Sequence, residues 1–111
     1  MKHVSDFLKQ LRIFTVCLYF DTNDGTTCIR KHSVCMPLSS IGIMASERDR
    51  ASSYLPCGFR IRTSVTNLDV TELTDVRSFF HFMSSYLCES TSDFRYMFKE
   101  IHRTAIHYID G

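Results

Sequence analysis

Apolar residues recur at two different spacings along this chain. In strand-like stretches between residues 12 and 66 they recur at every second position, the period of a strand, and between residues 69 and 110 they recur every three or four positions, the period of an amphipathic helix. The pattern predicts an α+β domain with a small antiparallel sheet of three to four strands. We expect a short N-terminal helix and two C-terminal helices packed on one face of that sheet, all within a single domain over residues 1–111.

Three strands are predicted in the first two thirds of the chain. Residues 12–21 carry apolar side chains on both faces, which is typical of a strand inside a sheet. Asp24-Gly25 follows in a polar turn, and this dipeptide favours a hairpin to a more polar second strand, residues 27–36, nearer an edge. Residues 57–65 alternate regularly between apolar and polar, so the third strand should have one face in solvent.

Helices are predicted at both ends of the chain. Residues 5–11 have an apolar edge and a capping Ser5 or Asp6, which indicates a short helix. Residues 69–110 favour a helical hairpin, with a polar link at 89–92 between its two helices.

The segment 39–56 has the weakest pattern in the chain. Ile41, Ile43 and Met44 favour a short strand, and residues 47–53 lack any periodicity, so we expect an exposed loop there. The alternating charges at 47–50 also permit one helical turn.

The first helix of the predicted hairpin has an unusually wide apolar stripe. Its members are Leu73, Val76, Phe79, Phe80, Phe82, Met83, Tyr86 and Leu87. At about 100° per residue they cover roughly half of the helix circumference, whereas packing on one sheet needs only about a third. The excess favours a protein interface that includes Leu73, Phe79, Phe82 and Tyr86, and a homodimer through the tail helices is the expected outcome.

Charge is distributed unevenly along the sequence. Residues 1–66 carry nine Lys/Arg and five Asp/Glu, a net +4, and residues 67–111 carry four Lys/Arg and seven Asp/Glu, a net −3.

Arg60 and Arg62 fall on the polar face of the third strand, and Arg30 or Lys31 on the second strand can line up with them. Cations on an exposed sheet face bind phosphate, so these four residues form a candidate nucleic-acid site. The plainer interpretation is that these cations form a solvated face, paired with Glu47 and Asp49. Only Tyr19 and Tyr54 offer nearby rings on which a base could stack.

Familiar catalytic and metal-binding motifs are absent from the sequence. It contains no nucleophile elbow, glycine-rich phosphate loop or His-Glu-x-x-His pattern, and its five cysteines are scattered without a C-x-x-C. We therefore expect no catalytic residue, no metal and no cofactor. An odd number of scattered cysteines is typical of free thiols in a reducing compartment, so the expected location is intracellular, cytoplasmic or nuclear. No apolar run is long enough to span a membrane.

The sequence favours a small non-enzymatic interaction protein acting through the aromatic helical face. Scarce alanine and glycine and missing tryptophan suit a virus-encoded accessory protein that acts on host factors. The first alternative is a nucleic-acid-binding protein, for example in RNA binding or silencing suppression, using the basic sheet face. The second is an enzyme whose site follows no familiar motif.

Overall fold

The computed structural model describes residues 9–68 and 91–111. In chain order they form strands β1 (Leu11–Thr22) and β2 (Gly25–Pro37), a 3₁₀ turn (Leu38–Ser40), helix α1 (Ile41–Ser53), strand β3 (Phe59–Asn67) and helix α2 (Thr91–Asp110). This is an α+β architecture with a three-stranded antiparallel sheet of order β2-β1-β3. The prediction of an interior first strand is confirmed, because β1 pairs with a neighbour on each side.

The hairpin between β1 and β2 closes through the predicted polar turn. Thr22 pairs with Gly25, so Asn23 and Asp24 form a two-residue loop. Gly25 has a φ of +149°, a region that L side chains rarely adopt. The turn therefore depends on the glycine that the sequence pattern singled out.

Strand β3 begins two residues later than predicted because Cys57 and Gly58 belong to the turn that precedes it. Gly58 has a φ of +93°, and a Cβ at this position would lie 2.9 Å from Cε2 of Phe20. The Gly58 carbonyl also accepts a 2.8 Å hydrogen bond from the Asp21 amide. Only glycine satisfies both the backbone angle and the close approach.

The segment 39–56 was predicted wrongly as a short strand and a loop, since Ile41–Ser53 is a helix of 13 residues. Strands β2 and β3 both run antiparallel to β1, so they run parallel to each other with β1 between them. A connection between parallel strands must cross the sheet, and a helix usually does so. The sequence pattern concealed this helix because it buries only Met44 fully.

The core lies between one face of the sheet and the two described helices. Its buried members are Phe14, Val16 and Leu18 of β1, Met36 of β2, Met44 of α1, Phe59 of β3, and Phe94, Met97, Phe98, Ile101 and Ala105 of α2. The buried side of α2 runs from Phe94 to Ala105, whereas Ile109 near its end is 54% exposed. Each large apolar side chain buried in this way contributes about 1.5–3 kcal/mol to folding.

Two other predicted helices lie partly or wholly outside the described residues. Leu11 is the first residue of β1, so the predicted helix 5–11 cannot extend that far, and its residues 5–8 lie outside the described part. The first helix of the hairpin, residues 69–87, lies wholly outside it. The same holds for the interface residues Leu73, Phe79, Phe82 and Tyr86.

Candidate nucleic-acid interface on the sheet

The candidate site lies on the outer face, which we define as the sheet face opposite α1 and α2. Strand register fixes two rows across this face. Lys31 of β2 pairs with Cys17 of β1, which pairs with Arg62 of β3, and the next row is Cys28, Tyr19 and Arg60. Rows that lie two residues apart along a strand are about 7 Å apart. Three cations and one aromatic ring therefore share a small area.

Arg30 does not belong to this site, and its predicted alignment with Arg60 and Arg62 is wrong. Leu18 pairs with Arg30 and Tyr19 with Cys28, so a β-bulge leaves Ile29 without a partner. The bulge places Arg30 on the helical side of the sheet. There its Nη1 donates a 2.8 Å hydrogen bond to Oγ1 of Thr104 and lies 3.8 Å from Oε2 of Glu100.

Tyr19 sits in the middle strand beside both arginines of β3. The Cζ atoms of Arg60 and Arg62 lie 5.7 and 5.4 Å from the centre of its ring. At this separation a guanidinium is attracted to the electron-rich face of the ring. The Tyr19 ring is therefore flanked by two guanidinium groups.

The Tyr19 hydroxyl is kept in its protonated form. Interaction with the Cys17 side chain raises the pKa of Tyr19, and desolvation and the proximity of Cys28 add to this, while the charge of Arg62 lowers it. At neutral pH the side chain is therefore an uncharged aromatic group that would not repel a phosphate.

The three cations differ in how far protein carboxylates neutralise them. Nε of Arg60 lies 2.9 Å from Oδ2 of Asp21, an ion pair that is 38% and 43% exposed at its two side chains. Within residues 9–68 and 91–111, Arg62 and Lys31 have no carboxylate within 4.0 Å, and both are exposed. Arg62 and Lys31 thus carry the available positive charge of the outer face.

The carboxylates proposed from the sequence as partners of this face are engaged elsewhere. Oε1 of Glu47 lies 3.3 Å from Nε of Arg95 in α2, and Oδ1 of Asp49 lies 3.0 Å from Nη2 of Arg48 in the same helix. Tyr54, the second ring proposed for stacking, follows α1 and is 71% exposed near residues of α2. It is therefore remote from the outer face.

A row of hydroxyls extends the outer face beyond the cations. Ser33, Thr15 and Ser64 pair across the three strands, and the Thr15 and Ser33 hydroxyls are hydrogen-bonded at 2.9 Å. Hydroxyl groups donate hydrogen bonds to phosphate oxygens in many nucleic-acid complexes. No local pattern in the sequence indicates this row, because the three hydroxyls come together only through the strand register.

The described residues contain no group of three or more His, Cys, Asp or Glu side chains arranged to hold a metal ion. Cys17, Cys28, Cys35 and Cys57 are free thiols, and Cys88 lies outside the described part. No helix in the part of the chain that the structure describes is long and apolar enough to cross a membrane.

Comparisons of the chain with models of protein families, with curated proteins and with solved structures found no match.

Proposed function

We propose that the protein binds single-stranded nucleic acid on the outer face of its sheet. The carrying observation is that the half-buried Tyr19 lies beside Arg60 and Arg62 on the middle strand of the outer face, with the exposed Lys31 in the next row. In this proposal Arg62 and Lys31 contact phosphates, and Tyr19 with its flanking guanidinium groups offers a surface on which a base can stack.

Single strands are favoured over duplexes because the ring lies within a flat sheet face. A base reaches such a ring only when it is unpaired, whereas the bases of a duplex are stacked on one another. The contacts available are charge, hydroxyls and stacking, which act on every sequence in a similar way. The proposed binding is therefore tolerant of sequence and sensitive to salt.

A fluorescence-anisotropy titration tests this function. Labelled single strands of about 16 nucleotides, RNA and DNA, are compared with a duplex of the same sequence at several salt concentrations. Replacing Lys31 and Arg62 together with Ala should reduce the log–log salt slope by about 1.4, since each phosphate contact on a single strand contributes about 0.7. Tyr19→Leu should weaken binding by about 1–3 kcal/mol with little change in that slope.

Lys99→Ala is the matched control, because Lys99 is an exposed cation on α2, on the other side of the sheet. It should leave the affinity for single strands unchanged. If the unaltered protein does not bind single strands even at low salt, the proposal is wrong and the outer face is a solvated surface.

A non-enzymatic interaction protein acting through the first tail helix is the second candidate function, and its residues lie outside the described part of the chain. A role as a virus-encoded accessory protein rests on composition alone. Both stay predictions, as does the expectation that the chain is not an enzyme and acts inside the cell.

A further inference from the structure

A groove of about 660 Å³ lies between α1 and α2, away from the outer sheet face. Its apolar lining comes from Ala51, Phe98 and Ile106 together with the ring of Tyr54. Phe98 is buried in the core, whereas Ile106 and Tyr54 are 39% and 71% exposed. Nε2 of His102, which also lines the groove, lies 3.1 Å from the Tyr54 carbonyl oxygen.

The rim of this groove is strongly basic. Arg95, Lys99 and Arg103 follow one another at steps of four along α2, so they form a row of cations about 6 Å apart. Arg50 of α1 adds a cation from the other helix. Glu47 is the acidic residue of the lining.

Two of these cations have no partner among the described residues. Arg95 pairs with Glu47 at 3.3 Å, and Nη1 of Arg103 lies 2.7 Å from Oε1 of Glu100. Within residues 9–68 and 91–111, no carboxylate lies within 4.0 Å of Arg50 or Lys99, and both side chains are exposed. An apolar channel with uncompensated positive charge on both sides fits an occupant with an apolar stripe and acidic flanks.

We propose that this groove binds an acidic amphipathic helix of a partner protein. From Arg95 to Ile106 the groove follows α2 for about 16 Å, which is three helical turns of an occupant lying alongside it. Acidic residues at steps of four on such a helix repeat at the same ~6 Å spacing as the cation row of α2. Its apolar residues would cover Ile106, with the exposed ring of Tyr54 as the aromatic anchor.

A bound nucleic acid is the weaker match for this groove. Its phosphates would satisfy Arg50 and Lys99, but sugar and phosphate would leave the apolar lining in contact with polar groups. An amphipathic helix satisfies the cations and covers the apolar lining at the same time. This inference does not depend on the proposed function of the outer sheet face.

The test uses the whole chain of residues 1–111 and three fluorescein-labelled synthetic peptides of about 14 residues. The first has a leucine stripe flanked by Glu at steps of four, the second has Lys in place of every Glu, and the third has the composition of the first in an order that breaks the stripe. The acidic peptide should bind at least about tenfold more tightly than either of the others, because it alone matches both charge and apolar stripe.

Variants of exposed groove residues locate the binding. Arg50→Glu with Lys99→Glu should lower the affinity for the acidic peptide at least about tenfold and shift the preference toward the lysine peptide. Tyr54→Ala should weaken binding of the acidic peptide without reversing the preference. Lys31→Glu, on the outer sheet face, is the matched control and should change neither affinity.

Each of four outcomes would overturn the inference. In the first, the acidic peptide binds no more tightly than the peptide with the broken stripe. In the second, the groove variants leave its affinity unchanged while circular dichroism shows an intact fold. In the third, Arg50→Glu with Lys99→Glu weakens binding of a labelled single-stranded RNA as much as Lys31→Glu does, which would make the groove a nucleic-acid site. In the fourth, the same double variant halves the mass of the unliganded protein in light scattering, which would make the occupant a second copy of this chain.

Discussion

Nε of Arg30 donates a 2.8 Å hydrogen bond to Nε2 of His32 on the helical side of β2. The imidazole must therefore be neutral, with Nε2 as the acceptor. The same guanidinium donates to Thr104 of α2, so the uncharged histidine supports the side chain that joins this strand to the last helix.

We expect this contact to weaken in acid. Burial lowers the pKa of His32 below its usual 6.5, and the charge of Arg30 lowers it further, while Glu100 acts in the opposite direction. Because the native state disfavours the charged imidazole, the unfolded chain takes up the proton first. The stability that His32 contributes is complete above about pH 6.5 and is lost as the pH falls below that value toward the native pKa.

Urea unfolding at pH 7.5 and 5.5 measures this loss. His32→Gln should reduce the difference in the free energy of unfolding between the two pH values, because the glutamine amide oxygen accepts from Arg30 without titrating. His107→Gln, at an exposed position of α2, is the matched control and should keep the full difference. An unchanged pH dependence in His32→Gln would contradict this account.

Asp21 should limit nucleic-acid binding through its ion pair with Arg60. If the outer face binds phosphate, Asp21→Asn should strengthen binding and steepen its salt dependence, because it releases one cation and removes one repelling charge. By the same reasoning Arg62→Ala should cost more affinity than Arg60→Ala. Equal losses from the two arginine variants, measured by anisotropy at one salt concentration, would contradict this difference.

Thiol reactivity should follow burial. Cys28 and Cys57 are exposed, whereas Cys35 is fully buried and its pKa is raised by burial. Alkylation of the native protein, followed by peptide mass spectrometry, should label Cys28 and Cys57 first and Cys35 last, because the thiolate is the reacting form.

Alkylation after denaturation without reductant should give labels on all five cysteines. Two or more protected cysteines in that experiment would argue against a reducing compartment.

Self-association through residues 69–87 remains a prediction from the sequence. Light scattering over a dilution series should give a mass near twice 12.9 kDa. Phe82→Glu or Leu73→Glu should move the protein toward the monomer with helix content retained, because a charge on the apolar stripe opposes pairing. Ser85→Glu, on the polar side of the same predicted helix, is the control. A protein that stays monomeric at high concentration would show that the stripe is covered within one chain.

The local spacing of apolar residues was enough to predict those strands and helices whose own side chains show which face is buried. Apolar residues on both faces identified β1 as an interior strand, and the three-and-four spacing of apolar residues indicated helix α2, whose buried side runs from Phe94 to Ala105. Helix α1 lacked such a signal, because a helix that crosses the edge of a core with Met44 as its only buried residue has no continuous apolar stripe. Its existence follows instead from the parallel arrangement of β2 and β3.

The composition of both candidate sites was decided by the tertiary structure. The sequence placed Arg60 and Arg62 on one face of β3, since alternation within a strand is local. Which β2 cation joins them depends on the bulge at Ile29, which sends Arg30 to α2 and leaves Lys31 in the same row as Arg62, with Cys17 between them. A bulge shifts strand register, and register is chosen by packing between strands and helices distant in sequence. The groove likewise joins residues of α1 and α2 that lie more than 40 positions apart, so no local pattern contains it.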